Sequence, residues 1–271
     1  MIKLPDYDFL GSIYIKTKYE ELYLTLESIK SQTLKPKNII LVIDGKITKE
    51  VRDLVIKYKK IIPIKTIPLI KNVGLGLALR KGLEKCKSDI ILRFDTDDIN
   101  TKNRALLTVE ELAKGNADIV GSNIREFIDD PNLSTSRKIM PLTHKSIKRM
   151  IFFRNPINHP TVGFLRKSII ELNGGYRHFP FYEDYDLWIR ALLKGLKFKN
   201  INRELVFVRI TNQRLRRKGL NLISSECRLF LTFFDESILH ALIFLPFLFL
   251  RIIFTLLPLK VDNFLIKILR K

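Results

Sequence analysis

Three acids close one short apolar run. Ile90–Phe94, interrupted by Arg93, delivers Asp95, Asp97 and Asp98. Carboxylates gathered this closely repel one another unless a cation or hydroxyl donors share the site. A hard divalent ion, Mg²⁺ or Mn²⁺, takes one or two carboxylates and completes its shell with phosphate oxygens. A neighbouring carboxylate could accept hydrogen bonds from ribose hydroxyls instead. The bland reading is helix capping, with Asp98, Asn100 or Thr101 opening a helix near Lys102. Capping accounts for one acid and leaves the others unexplained.

A second acidic group, Glu183, Asp184 and Asp186, opens an amphipathic segment carrying Leu187, Ala191 and Leu192 on one face. Acids in a first helical turn complement the macrodipole. Here Phe179, Phe181, Tyr182, Tyr185 and Trp188 crowd them. A carboxylate beside such rings can have the raised pKa of a general base. Two adjacent glycines, Gly174 and Gly175, precede the group and allow a tight approach to a ligand. Two weaker signals complete the set. Gly74 and Gly76 open a helix whose N-terminus favours an anion, although the spacing is not that of a P-loop. Arg214, Arg216, Arg217 and Lys218 resemble a phosphate clamp or a solvated basic turn.

The elements that would position these groups alternate. Strands are expected at 9–15, 38–43, 64–68 and 89–94, and helices at 19–32, 48–59 and 75–86. The run NIILVI, between Pro36 and Asp44, reads as a strand buried on both faces of a parallel sheet. This rhythm predicts a doubly wound, mostly parallel α/β layer structure, with ligands outside the carboxyl ends of the strands. Asp44 and Asp95 end two of those strands. Beyond residue 100 the pattern loosens. Helices are expected at 102–114, 144–153, 167–172 and 185–194, strands at 117–122 and 198–209, and a loop with room for a hairpin at 127–143.

The chain has 271 residues and a net charge of +20, which implies an anionic partner. Nucleic acid does not fit, because the basic residues are interleaved with apolar ones along the whole chain and no recognition motif occurs. Cys86 and Cys227 form no metal or disulfide pattern, and the N-terminus lacks the apolar core of a signal peptide. The last third changes character. Ile238–Leu250 is almost wholly apolar, and residues 197–271 hold fourteen basic against five acidic side chains. Pro246, Arg251 and Pro258 interrupt the run, so a helix pair lying in an anionic membrane interface is expected rather than a span.

Together these segments resemble the family 2 glycosyltransferases of GT-A fold. The likeness is strongest to small bacterial transferases of exopolysaccharide synthesis of the amylovoran type. It is carried by SIYIKTKYEELYLTLESIKSQTLKPKNIILVIDG, NVGLGLALRKGLEKCKSDIILRFDTDDI, ADIVGSNIREF, NPINHPTVGFLRKS and GGYRHFPFYEDYDLWIRALLKG, in that order, over roughly residues 9–210. The resemblance implies a donor half over about 1–100, an acceptor half over about 101–212, and a basic apolar region over 213–271. It implies an inverting transfer from a nucleotide-sugar, a UDP-sugar first, to a hydroxyl of a glycan or a lipid-diphosphate-linked acceptor. The enzyme would associate peripherally with the cytoplasmic face of the membrane.

In this likeness Asp44 contacts the base or ribose of the donor. Asp95-Thr96-Asp97 matches the DxD motif, with Asp95 toward ribose, Asp97 on Mn²⁺ or Mg²⁺, and Asp98 a second metal candidate. Glu183-Asp184 matches the ED motif, with Asp184 as base. Tyr14, Asn72, Gly74 and Arg80 join the donor side, and His159, Glu183 and Trp188 the acceptor side. Gln213, Arg216 and Arg217 stand where processive members carry QxxRW, with arginine in place of tryptophan. Ile15, Thr17 and Arg80 depart from the residues common in relatives. The rival readings are a metal-dependent nucleotidyltransferase, for which the glycine- and lysine-rich N-terminal loop is missing, and a non-enzymatic basic protein of the membrane surface.

Overall fold

The computed structural model describes residues 4–210 and 220–256. Its first half follows the expected alternation: β1 (Tyr7–Ile13), α1 (Tyr19–Lys30), β2 (Asn38–Asp44), α2 (Lys49–Lys59), β3 (Ile64–Leu69), α3 (Leu75–Leu83) and β4 (Ile90–Arg93). These strands lie in the order β3-β2-β1-β4, all parallel. Side chains alternate across the sheet. Leu10, Ile40 and Ile91 pack with Leu79 and Leu83 of α3 on one face. Phe9, Ile39, Leu41, Ile90 and Leu92 pack with α1 and α2 on the other. Burial on both faces is what the continuous apolar run of β2 requires.

The second half is β5 (Ile99–Asn100), α4 (Arg104–Ala113), β6 (Ile119–Phe127), β7 (Ser134–Lys138), α5 (His144–Met150), β8 (Gly163–Leu165), α6 (Arg166–Ile170), α7 (Glu183–Leu193) and β9 (Phe198–Arg209). The sheet continues β4-β8-β6-β9-β5. β8 is antiparallel to both β4 and β6, whereas β6 and β9 run parallel. The first four strands are therefore all parallel, and the extension is mixed. β7 folds back on β6 as the expected hairpin. β6 runs five residues beyond the strand read from sequence, because β9 pairs with it along its whole length.

Two helices complete the described chain, α8 (Leu220–Glu236) and α9 (Ile238–Leu256). Leu229 and Phe233 of α8 and Ala241, Phe244 and Leu248 of α9 belong to the same hydrophobic cluster as α7. Helices α8 and α9 are thus packed into the core of the preceding chain. The outer side of α9 leaves Leu239, Leu242, Phe249, Leu250 and Ile253 exposed. By length and composition alone α9 could cross a membrane.

Candidate active site

The carboxyl edge of β1, β2 and β4 carries the first group. Asp95, Asp97 and Asp98 offer carboxylate oxygens that lie within 4.8 Å of one another. None of them caps a helix. α4 begins at Arg104 behind Asn103, which makes no side-chain cap bond. Each acid has a separate setting. Asp95 forms a two-pronged ion pair with Arg93, whose side chain is buried. Arg104 in turn donates to the backbone carbonyl of Arg93 and to Asn100 Oδ1. The arginine that interrupts the apolar strand is therefore a built-in counter-ion. Burial works against its charge, yet Asp95 holds its pKa above the ordinary value.

Asp98 is nearly fully buried. Its Oδ1 accepts Arg209 N at 2.9 Å and its carbonyl accepts Thr25 Oγ1 at 2.8 Å, tying the acidic loop to β9 and α1. Asp97 is half-buried and lies close enough to Tyr14 to help burial raise the phenol's pKa. An all-oxygen donor set of this kind fits Mg²⁺ or Mn²⁺ rather than a thiolate- or imidazole-seeking metal.

Asp44, the last residue of β2, uses both oxygens within the protein. Oδ1 accepts Val73 N at 2.7 Å, and Oδ2 accepts Gly74 N at 3.1 Å. Asn72 Nδ2 donates to the Asp44 carbonyl at 3.3 Å. Asp44 thus shapes the turn that brings Asn72 and Gly74 to the edge of the sheet. Arg80 packs on Gly174: a Cβ there would lie 2.7 Å from Arg80 Nη2. The Gly175 carbonyl accepts Arg190 Nη2 at 2.7 Å. The paired glycines, both at φ +81°, allow this close packing.

Across from the acidic loop, α7 opens with Glu183 and Asp184. Phe181 precedes them with φ +70°, a strained setting for an aromatic residue and common beside functional sites. Asp184 Oδ2 accepts Asn155 Nδ2 at 2.6 Å, and Oδ1 accepts its neighbour's amide, Tyr185 N, at 2.8 Å. Burial pushes the Asp184 pKa up, while the two hydrogen bonds and the charge of Arg93 pull against it. Asn155 was not among the residues singled out from sequence. Its amide is placed by the chain entering the 3₁₀ turn His159–Thr161, which no local pattern announces.

The third acid, Asp186, is structural. It pairs with Arg190 at 2.8 Å and accepts Thr232 Oγ1 at 2.9 Å, fastening α7 to α8. His159 Nε2 meets Tyr176 Oη at 2.9 Å. Trp188 is wholly buried between His159 and Phe198. It therefore faces no solvent and does not line an open acceptor site, contrary to expectation.

The two acidic groups converge. Tyr176 feels Arg93, Asp184, Glu183 and Asp95 together. The link between the halves is Gly76, where a Cβ would sit 2.1 Å from the Arg177 carbonyl and 3.2 Å from Glu183 Cβ. Only a glycine lets α3 meet the segment leading into Glu183. Arg251 of α9 clamps the far side. It pairs with buried Glu226, which also accepts Tyr182 Oη, and it lies over the rings of Tyr182 and Tyr185. Gln213, Arg216 and Arg217 lie outside the described residues.

A parallel α/β half, an acidic trio at its carboxyl edge and a half-buried carboxylate on the opposite wall make up the arrangement of a GT-A glycosyltransferase. Residues 12–173 match the family described as Glycosyl transferase family 2. The chain is 33% identical over 265 residues to the UDP-Gal:alpha-D-GlcNAc-diphosphoundecaprenol beta-1,3-galactosyltransferase of Escherichia coli, covering 97% of this chain and 96% of that one. It is also 33% identical over 269 residues to the amylovoran biosynthesis glycosyltransferase AmsE of Erwinia amylovora, covering 96% and 97%. Among solved structures, S. aureus TarS residues 1–349 in complex with UDP-GlcNAc superposes with a TM-score of 0.68 at 14% identity, over 88% of this chain and 69% of that chain. Against a longer TarS chain the TM-score is 0.66 and the match spans 41% of that chain. This chain belongs to glycosyltransferase family 2 and is a nucleotide-sugar-dependent glycosyltransferase of the amylovoran type.

Proposed function

We propose that the enzyme transfers a sugar, with inversion, from a UDP-sugar to a hydroxyl of a glycan carried on a lipid diphosphate at the cytoplasmic membrane surface. The observation that carries this is the pairing of a half-buried Asp184, whose pKa desolvation raises, with the Asp95–Asp98 cluster on the opposite wall. The printed name of the Escherichia coli relative supports a UDP-sugar and a polyprenyl diphosphate acceptor, and the TarS complex with UDP-GlcNAc supports the same donor class. The acceptor's lipid and the exposed apolar side of α9 support a peripheral position on the membrane.

Asp184 accepts the proton of the acceptor hydroxyl. The oxygen then attacks the anomeric carbon from the face opposite the diphosphate, and the bond from that carbon to the diphosphate oxygen breaks through an oxocarbenium-like transition state. Asn155 and the Tyr185 amide orient the base. Asp97 and Asp98 would hold a divalent ion, which when bound neutralises charge on the leaving diphosphate. Asp95, already balanced by Arg93, keeps acceptor capacity for a ribose hydroxyl. Asp44, Asn72, Gly74, Arg80 and Tyr14 frame the nucleotide side, and Glu183 the acceptor side.

The test is transfer from a panel of UDP-sugars to a synthetic sugar-diphosphate-lipid. Expected products are the extended lipid and UDP, with transfer abolished in Asp184→Asn and Asp97→Ala. Release of pyrophosphate would identify a nucleotidyltransferase and overturn the reading.

A further inference from the structure

An open cavity of about 520 Å³ lies between α5 and α9, and none of its lining residues belongs to the acidic groups of the active site. Its lining is Lys145, Lys148, Arg149, Phe152, Phe153, His240 and Ile243. No acid is among the described residues that line it. The three cations fall at i, i+3 and i+4 of α5, where side chains are neighbours and like charges destabilise a helix. An anion seated among them would reverse that penalty. The rest of the lining is apolar, and His240 stacks on Phe152. The apolar lining continues onto the exposed side of α9, where Leu239 and Leu242 flank His240 and Ile243.

We propose that this cavity is a seat for an acidic phospholipid of the bilayer. The phosphate lies on Lys145, Lys148 and Arg149. The upper acyl chains lie on Phe152, Phe153 and Ile243. A free inorganic anion would leave that apolar lining uncovered, whereas an amphiphile satisfies both parts. The seat rests on the membrane-surface reading above and gives it a fixed point: α9 is held against the lipid by its outer side, and the base Asp184 sits behind the Phe153–Asn155 segment.

The experiment measures flotation of the full chain with phosphatidylcholine vesicles, with and without one-third phosphatidylglycerol. A juxtamembrane cation contributes about a fivefold factor in partitioning. Lys145→Gln/Lys148→Gln/Arg149→Gln is therefore expected to lower binding to the anionic vesicles about a hundredfold. The control Lys57→Gln/Lys59→Gln/Lys60→Gln, with the same change in charge on the donor half, is expected to lose less than about threefold. Ile243→Trp fills the cavity without altering charge, and it is expected to remove most of the preference for phosphatidylglycerol. Monomeric dihexanoylphosphatidylglycerol is expected to raise the melting temperature of the wild type, and inorganic phosphate at the same concentration is not.

Equal losses in the control triple, an unchanged preference in Ile243→Trp, or equal stabilisation by phosphate would each overturn the seat. Transfer to a detergent-soluble acceptor is expected to persist in all these variants. Absence of transfer in wild type that still prefers anionic vesicles would sink the glycosyltransferase reading and leave the seat standing.

Discussion

Replacing Asn155 by alanine removes one donor from the ionised form of Asp184 and nothing else from its carboxylate. The Asn155 amide sits 2.6 Å from Oδ2, a charge-assisted distance. Hydrogen bonds to charged groups contribute about 1.5–3 kcal/mol. One pH unit corresponds to about 1.4 kcal/mol. The Asp184 pKa, already raised by burial, should therefore climb by a further one to two pH units, to an extent limited by the remaining Tyr185 and Arg93 interactions. A base works only when ionised, so the acid limb of kcat moves to higher pH by that amount while the alkaline plateau partly recovers. Stability moves with it. A carboxyl whose folded pKa exceeds the unfolded one binds more protons when folded, and its ionisation costs stability as pH rises through the folded value. Asn155→Ala is thus expected to be most destabilised at neutral pH, with the deficit shrinking as pH falls through the raised pKa. The assay is kcat against pH at saturating donor and acceptor, with urea unfolding at two pH values. A uniform fall in kcat with an unmoved acid limb would refute the reasoning and reduce Asn155 to a packing residue.

Arg93→Met breaks a buried ion pair and leaves Asp95 uncompensated; a loss of about 3–5 kcal/mol in urea unfolding is expected, partly recovered by adding Asp95→Asn. Wild type with Mn²⁺ and UDP at a hundredfold excess over Kd should gain about 2.7 kcal/mol, and Asp97→Ala should lose the metal-dependent part of that gain in a thermal melt. Gly76→Ala forces a methyl against the Arg177 carbonyl, so α3 and the chain entering α7 must part. It should cost about 1–3 kcal/mol by overpacking, and kcat should fall more than KM rises, because Glu183 and Asp184 move relative to the donor half.

Much of the parallel first half was legible because its signals are local. NIILVID is β-branched, continuous and followed by a turn, so strand and carboxyl edge are read together. The acidic loop announced itself in the same way. β8 was not legible: three residues, Gly163–Leu165, carry no period, and their strand exists only because β4 and β6 stand on either side. Asn155 was hidden for the same reason, since its partner is 29 residues away in the chain and on another element. Asp186 could have been separated from Asp184 at the outset. It has an arginine four residues ahead, and that spacing pairs across one helical turn, whereas Asp184 has none.

The two arginines that break apolar runs are the more instructive case. In the sequence, Arg93 mars a buried strand and Arg251 shortens an apolar helix. Arg93 proves to be buried and Arg251 half-buried, each matched to an acid, Asp95 and Glu226. A charge set in an apolar run is costly unless a partner meets it, so its presence in the sequence already implies that partner. Arg93 is matched two residues on, at the ligand edge, where it can balance one acid and leave Asp97 to another cation. Arg251 is matched 25 residues back, and its guanidinium also covers the rings of Tyr182 and Tyr185 on either side of Asp184. The apolar helix α9 is thereby pinned to the wall that carries Asp184.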